Sequence, residues 1–480
     1  MDAPTDMLRT PTGGKPSLYA RHQKVYPKLA HGRFRQLKWL VMAVTLMIYY
    51  VTPWLRWDRG EAFPDQAVLI DIPARRFYFF FIEIWPQQIY LLAGLLIFAA
   101  LVLFLVTSVA GRVWCGYTCP QTVWTDLFVM IERVFEGDRS ERIRRDRGPL
   151  TLDKLWRKTT KHAVWLLVAM GTGGAWIFYF VDAPTLLNRL FSFEASTPAY
   201  VFAGLFTLTT YVLGGFAREQ VCTYMCPWPR IQAGLQDEHS LLVTYRAWRG
   251  ETRAPYAKGA DWSGRGHCID CGNCVTVCPQ GIDIRDGQQL PCIGCALCID
   301  ACDSVMDKVG LPRGLVAYDT LENLSSKATG AAARIRLIRP RTLLYGGLLL
   351  FVAGLMAVAL ATASKLDVTV LHDRNPLFVA LTDGGTRNGY TLKIVNRTHD
   401  TRHLALSLED LPDATLTIVG DDSHENLIVA RSDDLRSVRV FVTLPRERHA
   451  RERHEFTFAL TDHDSGLTSR VDAVFNGPGQ

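Results

Sequence analysis

The chain has 480 residues, 48% of them hydrophobic, twelve cysteines and a formal net charge of +6. That length exceeds one ordinary compact domain, so several units are expected. The basic excess does not point to nucleic acid, because the lysines and arginines flank apolar runs, which is the pattern of membrane topology.

The chain opens on a polar, basic tail, residues 1–36, with no apolar leader core. A four-helix membrane region is expected over 37–240. Its spans are Leu37–Trp57, with Pro53 near its end, then Pro86–Ala110, Ala163–Val181 and Ala199–Ala217. A fifth span is expected at 341–363, starting at Arg341, since a crossing helix needs ~20 apolar residues. Lys and Arg number eight up to Lys38 and eleven from Gly111 to Lys161, against Arg189 alone from Pro184 to Pro198. The N-terminus and the loops after spans two and four are therefore expected in the cytoplasm. With five spans, the C-terminal region falls on the other side. The run "ARRFYFFFIEIWPQQ" before span two is aromatic and basic, and is expected to lie in the membrane interface. Residues Gln121–Gly137 show apolar helical spacing, which predicts a helix along the inner membrane surface.

Residues 241–340 carry the strongest signal. "CIDCGNCVTVCP" at 268–279 and "CIGCALCIDAC" at 292–302 both read C-x2-C-x2-C-x3-C, the spacing of bacterial two-cluster ferredoxins. Three thiolates on a tight loop cap one cubane, and the fourth reaches the other. Cys268, Cys271, Cys274 and Cys302 are thus assigned to one [4Fe–4S] cluster. Cys278, Cys292, Cys295 and Cys298 are assigned to the second. Asp303 stands where a proline follows the first run, but proline ligates nothing. Zinc prefers paired Cys-x-x-Cys knuckles, and all twelve cysteines lie between Cys115 and Cys302, unlike a disulfide scaffold. The small residues Gly272, Gly294 and Ala296 let backbone N–H groups approach the sulfurs.

Two further pairs, Cys115/Cys119 in "WCGYTCPQ" and Cys222/Cys226 in "VCTYMCPW", read Cys-x-x-x-Cys-Pro just after an apolar run. The proline disfavours helix at the second cysteine of each. Both fall at the same end of a span, so the two halves repeat in parallel and a pseudo-twofold axis could join the four thiols. Thiolates are soft ligands that favour Cu(I); a dithiol relay and buried packing are the rivals. No histidine stands mid-span and His162 sits at an edge, which argues against a membrane haem. His267 beside Cys268 reads as incidental. From Ser364 to the end, about eight short alternating runs separated by turns predict a β-sandwich over 364–480. The expected fold class is a multidomain membrane protein: an α-helical transmembrane bundle of five helices, a bacterial-type 2[4Fe–4S] ferredoxin insert and an immunoglobulin-like β-sandwich.

The runs "RVWCGYTCPQTVWTDLF", "REQVCTYMCPWPRIQ", "DEHSLLVTYRAWRGE" and "CIGCALCIDACDSVMDKVG" resemble the cytochrome c oxidase accessory family called CcoG, FixG or RdxA. The resemblance extends from about Arg33 to the sandwich. It implies a bacterial inner-membrane polyferredoxin that reduces Cu(II) to Cu(I) and assists assembly of cbb3-type cytochrome oxidase. The eight ferredoxin cysteines would hold two [4Fe–4S] clusters. Cys115, Cys119, Cys222 and Cys226 would be the copper-linked thiols, with copper as substrate or bound ion. The implied partners are the oxidase assembly machinery, a copper transporter or chaperone, membrane lipid and an electron donor such as quinol; no nucleic acid is expected and self-association is open. The clusters and N-terminus would be cytoplasmic and the sandwich periplasmic. The rivals are a quinol-linked electron-transfer protein, a non-catalytic assembly factor and a redox-sensing regulator, for which no DNA-binding feature is present.

Overall fold

The structure is a computed structural model. It describes residues 24–60, 63–256, 262–328, 335–362, 366–398, 400–420, 426–431, 434–445 and 453–477; residues 1–23 of the expected tail lie outside that set. Among the described residues five helices are long and apolar enough to cross a membrane: Arg33–Trp54, Ile89–Ala110, Leu152–Tyr179, Thr197–Ala217 and Pro340–Ala361. Leu40, Leu96 and Leu350 point outward, each more than 60% exposed. Such a surface is a liability in water and the natural face in lipid, where a helix satisfies its own backbone groups.

Local chemistry sets the ends of these helices. The first starts at Arg33 with no cap from its neighbours. Its free N–H groups at Phe34 and Arg35 donate instead to the Asp300 carboxylate, at 3.2 and 2.7 Å. Pro53 ends its α-helical part at Val51, and one 3-10 turn follows. The third span begins at Leu152 rather than Ala163, and continues past Thr172 as a 3-10 helix to Tyr179. Thr151 caps it by accepting from the Lys154 N–H. The extra turns are polar, so hydropathy alone missed them.

Two other segments gain detail. The aromatic run before span two is an antiparallel meander of β1 (Val68–Asp71), β2 (Arg76–Phe79) and β3 (Ile82–Ile84). The amphipathic segment is a helix, Pro120–Glu136, but its second face is not open. Phe128 and Ile131 pack on Trp165 and Ala169 of the third span, while the acids Asp126, Glu132 and Glu136 of the same helix are also buried. Strands β4 (Leu242–Tyr245) and β5 (Val316–Asp319) pair antiparallel and bracket the ferredoxin segment.

The chain divides into two compact units, 1–57 with 66–356, and 58–65 with 357–480. The second holds the sandwich. All eight expected runs are strands, β6 (Leu366–His372) and β8 to β14 (Thr386–Asn396, Arg402–Glu409, Thr415–Ile418, Leu427–Ala430, Asp434–Leu444, Arg453–Asp462, Thr468–Asn476), and Val379–Ala380 adds a short β7. One sheet runs β10-β12-β8-β6 with β7 on β8; the other runs β11-β9-β13-β14. Leu392, Ile394, Leu404, Val440, Phe458 and Phe475 are almost fully buried between them. Polar links stand where a disulfide would otherwise tie the sheets. The Tyr390 hydroxyl donates to the Val474 carbonyl at 2.7 Å. Asn388 and Asn476 exchange two hydrogen bonds.

Candidate iron–sulfur and thiol site

Each Cys-x-x-x-Cys-Pro motif is built the same way. Four residues before its first cysteine the backbone turns through positive φ, at Gly111 (φ 59°) and at Arg218 (φ 38°). At Gly111 a side chain is also excluded, since a Cβ would meet Leu242 and the Leu241 carbonyl. Arg218 accepts the strain with its guanidinium fixed, Nε donating to the Gly215 carbonyl and Nη2 paired with Glu132 at 2.9 Å. A short helical turn then carries Cys115 (Val113–Tyr117) or Cys222 (Val221–Met225). Cys119 and Cys226 are extended, with ψ of 127° and 123°, as the residue before proline prefers. Each proline opens a further helix, Pro120–Glu136 or Trp228–Leu235.

The structure sets the two pairs side by side. Cys115 lies in electrostatic reach of Cys119 and Cys222, and Cys222 of Cys119 and Cys226. Burial, reinforced by these neighbours, pushes the Cys115 and Cys222 thiols up to about 12. Cys115 donates to the Gln232 side-chain oxygen at 3.3 Å. Part-buried neutral thiols of this kind lose their protons to a bound metal.

Two cavities separate the ferredoxin cysteines into the expected sets. One is lined by Cys268, Cys271, Cys274 and Cys302. The other is lined by Cys278, Cys292, Cys295 and Cys298, with Cys274 in the shared wall. The fourth cysteine of each run therefore crosses to the other set. The donors fit [4Fe–4S] cubanes on two counts. Burial raises Cys274 to about 11 and Cys278 and Cys302 to about 12, so these sulfurs stay protonated unless a metal displaces the protons. Backbone N–H groups of Gln280 and Ile282 reach the Cys278 sulfur, and those of Gly294 and Val316 reach Cys292 and Cys302. Among the described residues no three His, Cys, Asp or Glu close on a point as for one ion, neither here nor at the Cys115 and Cys222 motifs.

Thiol motif and ligand loops are in direct contact. Cys115 and Cys222 pack on the same apolar cluster as Cys295. The Tyr117 hydroxyl donates to the Cys295 carbonyl at 3.2 Å, and Tyr318 donates to the Gly294 carbonyl at 2.6 Å. Sequence reasoning passed over Arg112, which joins three segments. Its guanidinium donates to the carbonyls of Cys292 and Pro229, both at 3.0 Å, and to that of Leu290. The histidines play no such part. His162 Nδ1 bonds the Tyr211 hydroxyl at 3.0 Å and its ring stacks on Phe216. His267 Nδ1 accepts from Arg249.

Comparison with known proteins agrees with these observations. Residues 217–321 match the family model of a 4Fe-4S dicluster domain, and residues 91–136, which hold Cys115 and Cys119, match a 4Fe-4S binding domain. Residues 356–478 match the IG-like fold at the C-terminal of FixG. The nitrogen fixation protein FixG of Rhizobium meliloti is 50% identical, over 96% of this chain and 94% of its own length. Protein RdxB of Cereibacter sphaeroides is 48% identical over 98% and 100%, and Protein RdxA of the same organism 47% over 96% and 98%. Identity at this level over nearly the whole length, on a chain with apolar spanning helices and paired ferredoxin ligand sets, places the protein in the FixG/RdxA family of membrane iron–sulfur oxidoreductases.

Proposed function

We propose that this protein is a cupric reductase, converting Cu(II) to Cu(I) as part of copper supply to a cbb3-type cytochrome oxidase. The observation that carries the reading is the packing of the Cys115 and Cys222 motifs directly on the Cys295 ligand loop. When bound, the clusters supply one-electron chemistry, which matches a one-electron metal reduction. Copper is the substrate. The chain's own contribution is a set of soft, part-buried thiols, suited to hold the cuprous product. The basic loops after spans two and four support a cytoplasmic position for these groups.

The test is anaerobic reduction of the purified protein, followed by Cu(II) and a chromogenic Cu(I) chelator. The variant Cys222→Ala/Cys226→Ala is expected to keep its iron–sulfur absorbance and lose copper binding. Unchanged Cu(I) formation with Cys115, Cys119, Cys222 and Cys226 all replaced would remove these thiols from the reaction. A second reading follows from the match of residues 91–136 to an iron–sulfur domain: the four thiols hold iron themselves. Iron analysis separates the two. Under the copper reading the fourfold variant retains the iron of two cubanes, with no loss relative to the parent.

A further inference from the structure

A cavity of about 400 Å3 opens between the first, third and fourth spans and the start of the Pro120–Glu136 helix. That volume lies in the range of small-molecule sites. Thr118 and Pro120, the residues on both sides of Cys119, line it. It therefore touches the first thiol motif from the membrane side, while the ferredoxin loop touches the same motif through Gly116 and Tyr117.

The lining is mostly apolar, but it is not what an acyl chain would select. Tyr49 and Trp176 form an aromatic wall, their rings stacked at 6.1 Å with planes 11° apart. Trp124 and Trp176 bring indole N–H donors that no protein acceptor takes up among the described residues. The Tyr49 hydroxyl spends its proton on the Thr172 carbonyl at 2.6 Å. Thr118 and Thr209 spend theirs on the carbonyls of Trp114 and Phe206, at 3.2 and 3.1 Å. The oxygens of all three hydroxyls can still accept. A planar ring with two oxygens fits this surface in both redox forms: as a hydroquinone it donates to the hydroxyl oxygens, and as a quinone it accepts from the indoles.

We propose that this cavity binds the ring of a membrane hydroquinone, the electron donor for the copper reduction proposed above, a reading on which this inference rests. One hydroquinone oxidised to quinone yields two electrons and two protons. Two one-electron iron–sulfur centres match the electrons, two Cu(II) ions are reduced in the end, and the protons pass to water. An isoprenoid tail would leave between the spans into lipid.

The test uses the full-length protein in lipid nanodiscs, with a short-chain ubiquinol as donor and an azido-quinone as photoaffinity probe. Labelling is expected on peptides carrying Tyr49, Trp124 or Trp176. Leu46→Trp fills the cavity from the first span and is expected to lower labelling roughly tenfold, with a matching loss of ubiquinol-driven bleaching of the iron–sulfur absorbance. Leu40→Trp, on an exposed part of the same helix, should change neither. Trp124→Phe keeps the ring and deletes the donor, and should weaken quinone binding by roughly two- to tenfold. Labelling elsewhere, full labelling in Leu46→Trp, or equal displacement by phospholipid would overturn the proposal. Dithionite-driven Cu(I) formation should survive in Leu46→Trp. If dithionite yields no Cu(I) even in the parent, the copper reading fails while the labelling result still decides the quinone site.

Discussion

A β-carbon at Gly116 would stand 2.9 Å from the Ile293 carbonyl oxygen and 3.0 Å from the Cys295 Cα. Both are backbone atoms of a ligand loop and cannot swing aside as a flexible side chain would. Gly116→Ala is therefore expected to lift the thiol motif off that loop. Dithionite-driven Cu(I) formation should fall by roughly ten- to a hundredfold, the scale of a displacement near 1 Å, while iron content is retained. Full turnover in the variant would mean that this contact does not matter to copper. Neither Gly116 nor Arg112 was legible in the sequence. The cysteines announce themselves by repeated spacing. Arg112 reads as one more cation at a membrane edge, because its acceptors Leu290, Cys292 and Pro229 are far along the chain.

One scale up, the Pro120–Glu136 helix shows what periodicity reveals and what it hides. Its apolar stripe was visible, and Phe128 and Ile131 do bury against Trp165. Its acids show no burial in that pattern, yet Glu132, only 1% exposed, gathers Arg142 at 2.7 Å, Arg218 at 2.9 Å and Lys161 at 3.7 Å from three other segments. Burial alone would raise the Glu132 carboxyl, but Arg218, Arg142 and Lys161 outweigh it and hold it below the usual glutamate range. Glu132→Gln leaves three cations around a neutral group. It should cost ~3–5 kcal/mol, as breaking a buried pair does. A depressed carboxyl contributes stability that is present above its unfolded value, near 4.3, and lost as pH falls through the lower folded value. The parent's thermal midpoint should therefore drop toward the variant's as pH falls below about 4.3, with the full gap at pH 7. A gap independent of pH would assign the loss to shape rather than charge.

At the scale of the whole molecule, sequence was most informative where one physical force acts alone. Lipid selects long apolar runs and the sandwich selects alternation, so all five spans and all eight strand runs were readable. The meander β1–β3 was not. Its run "RRFYFFFIEI" holds too few polar residues to alternate, and an aromatic stretch beside a span reads equally well as an interfacial anchor. Sidedness follows from charge, and it is testable. Eleven Lys and Arg lie between Gly111 and Lys161 against one between Pro184 and Pro198. On this ground we propose that the ferredoxin segment and the sandwich, separated by the fifth span, lie on opposite faces of the membrane. Protease added outside intact spheroplasts should degrade residues 366–476 and spare a membrane fragment. Every cysteine precedes residue 303, so that fragment keeps all twelve and should keep its full iron–sulfur absorbance. Inverted vesicles should give the converse, with the absorbance bleached and the sandwich protected. Loss of absorbance in the spheroplasts would invert the topology and move the proposed copper chemistry to the outer face.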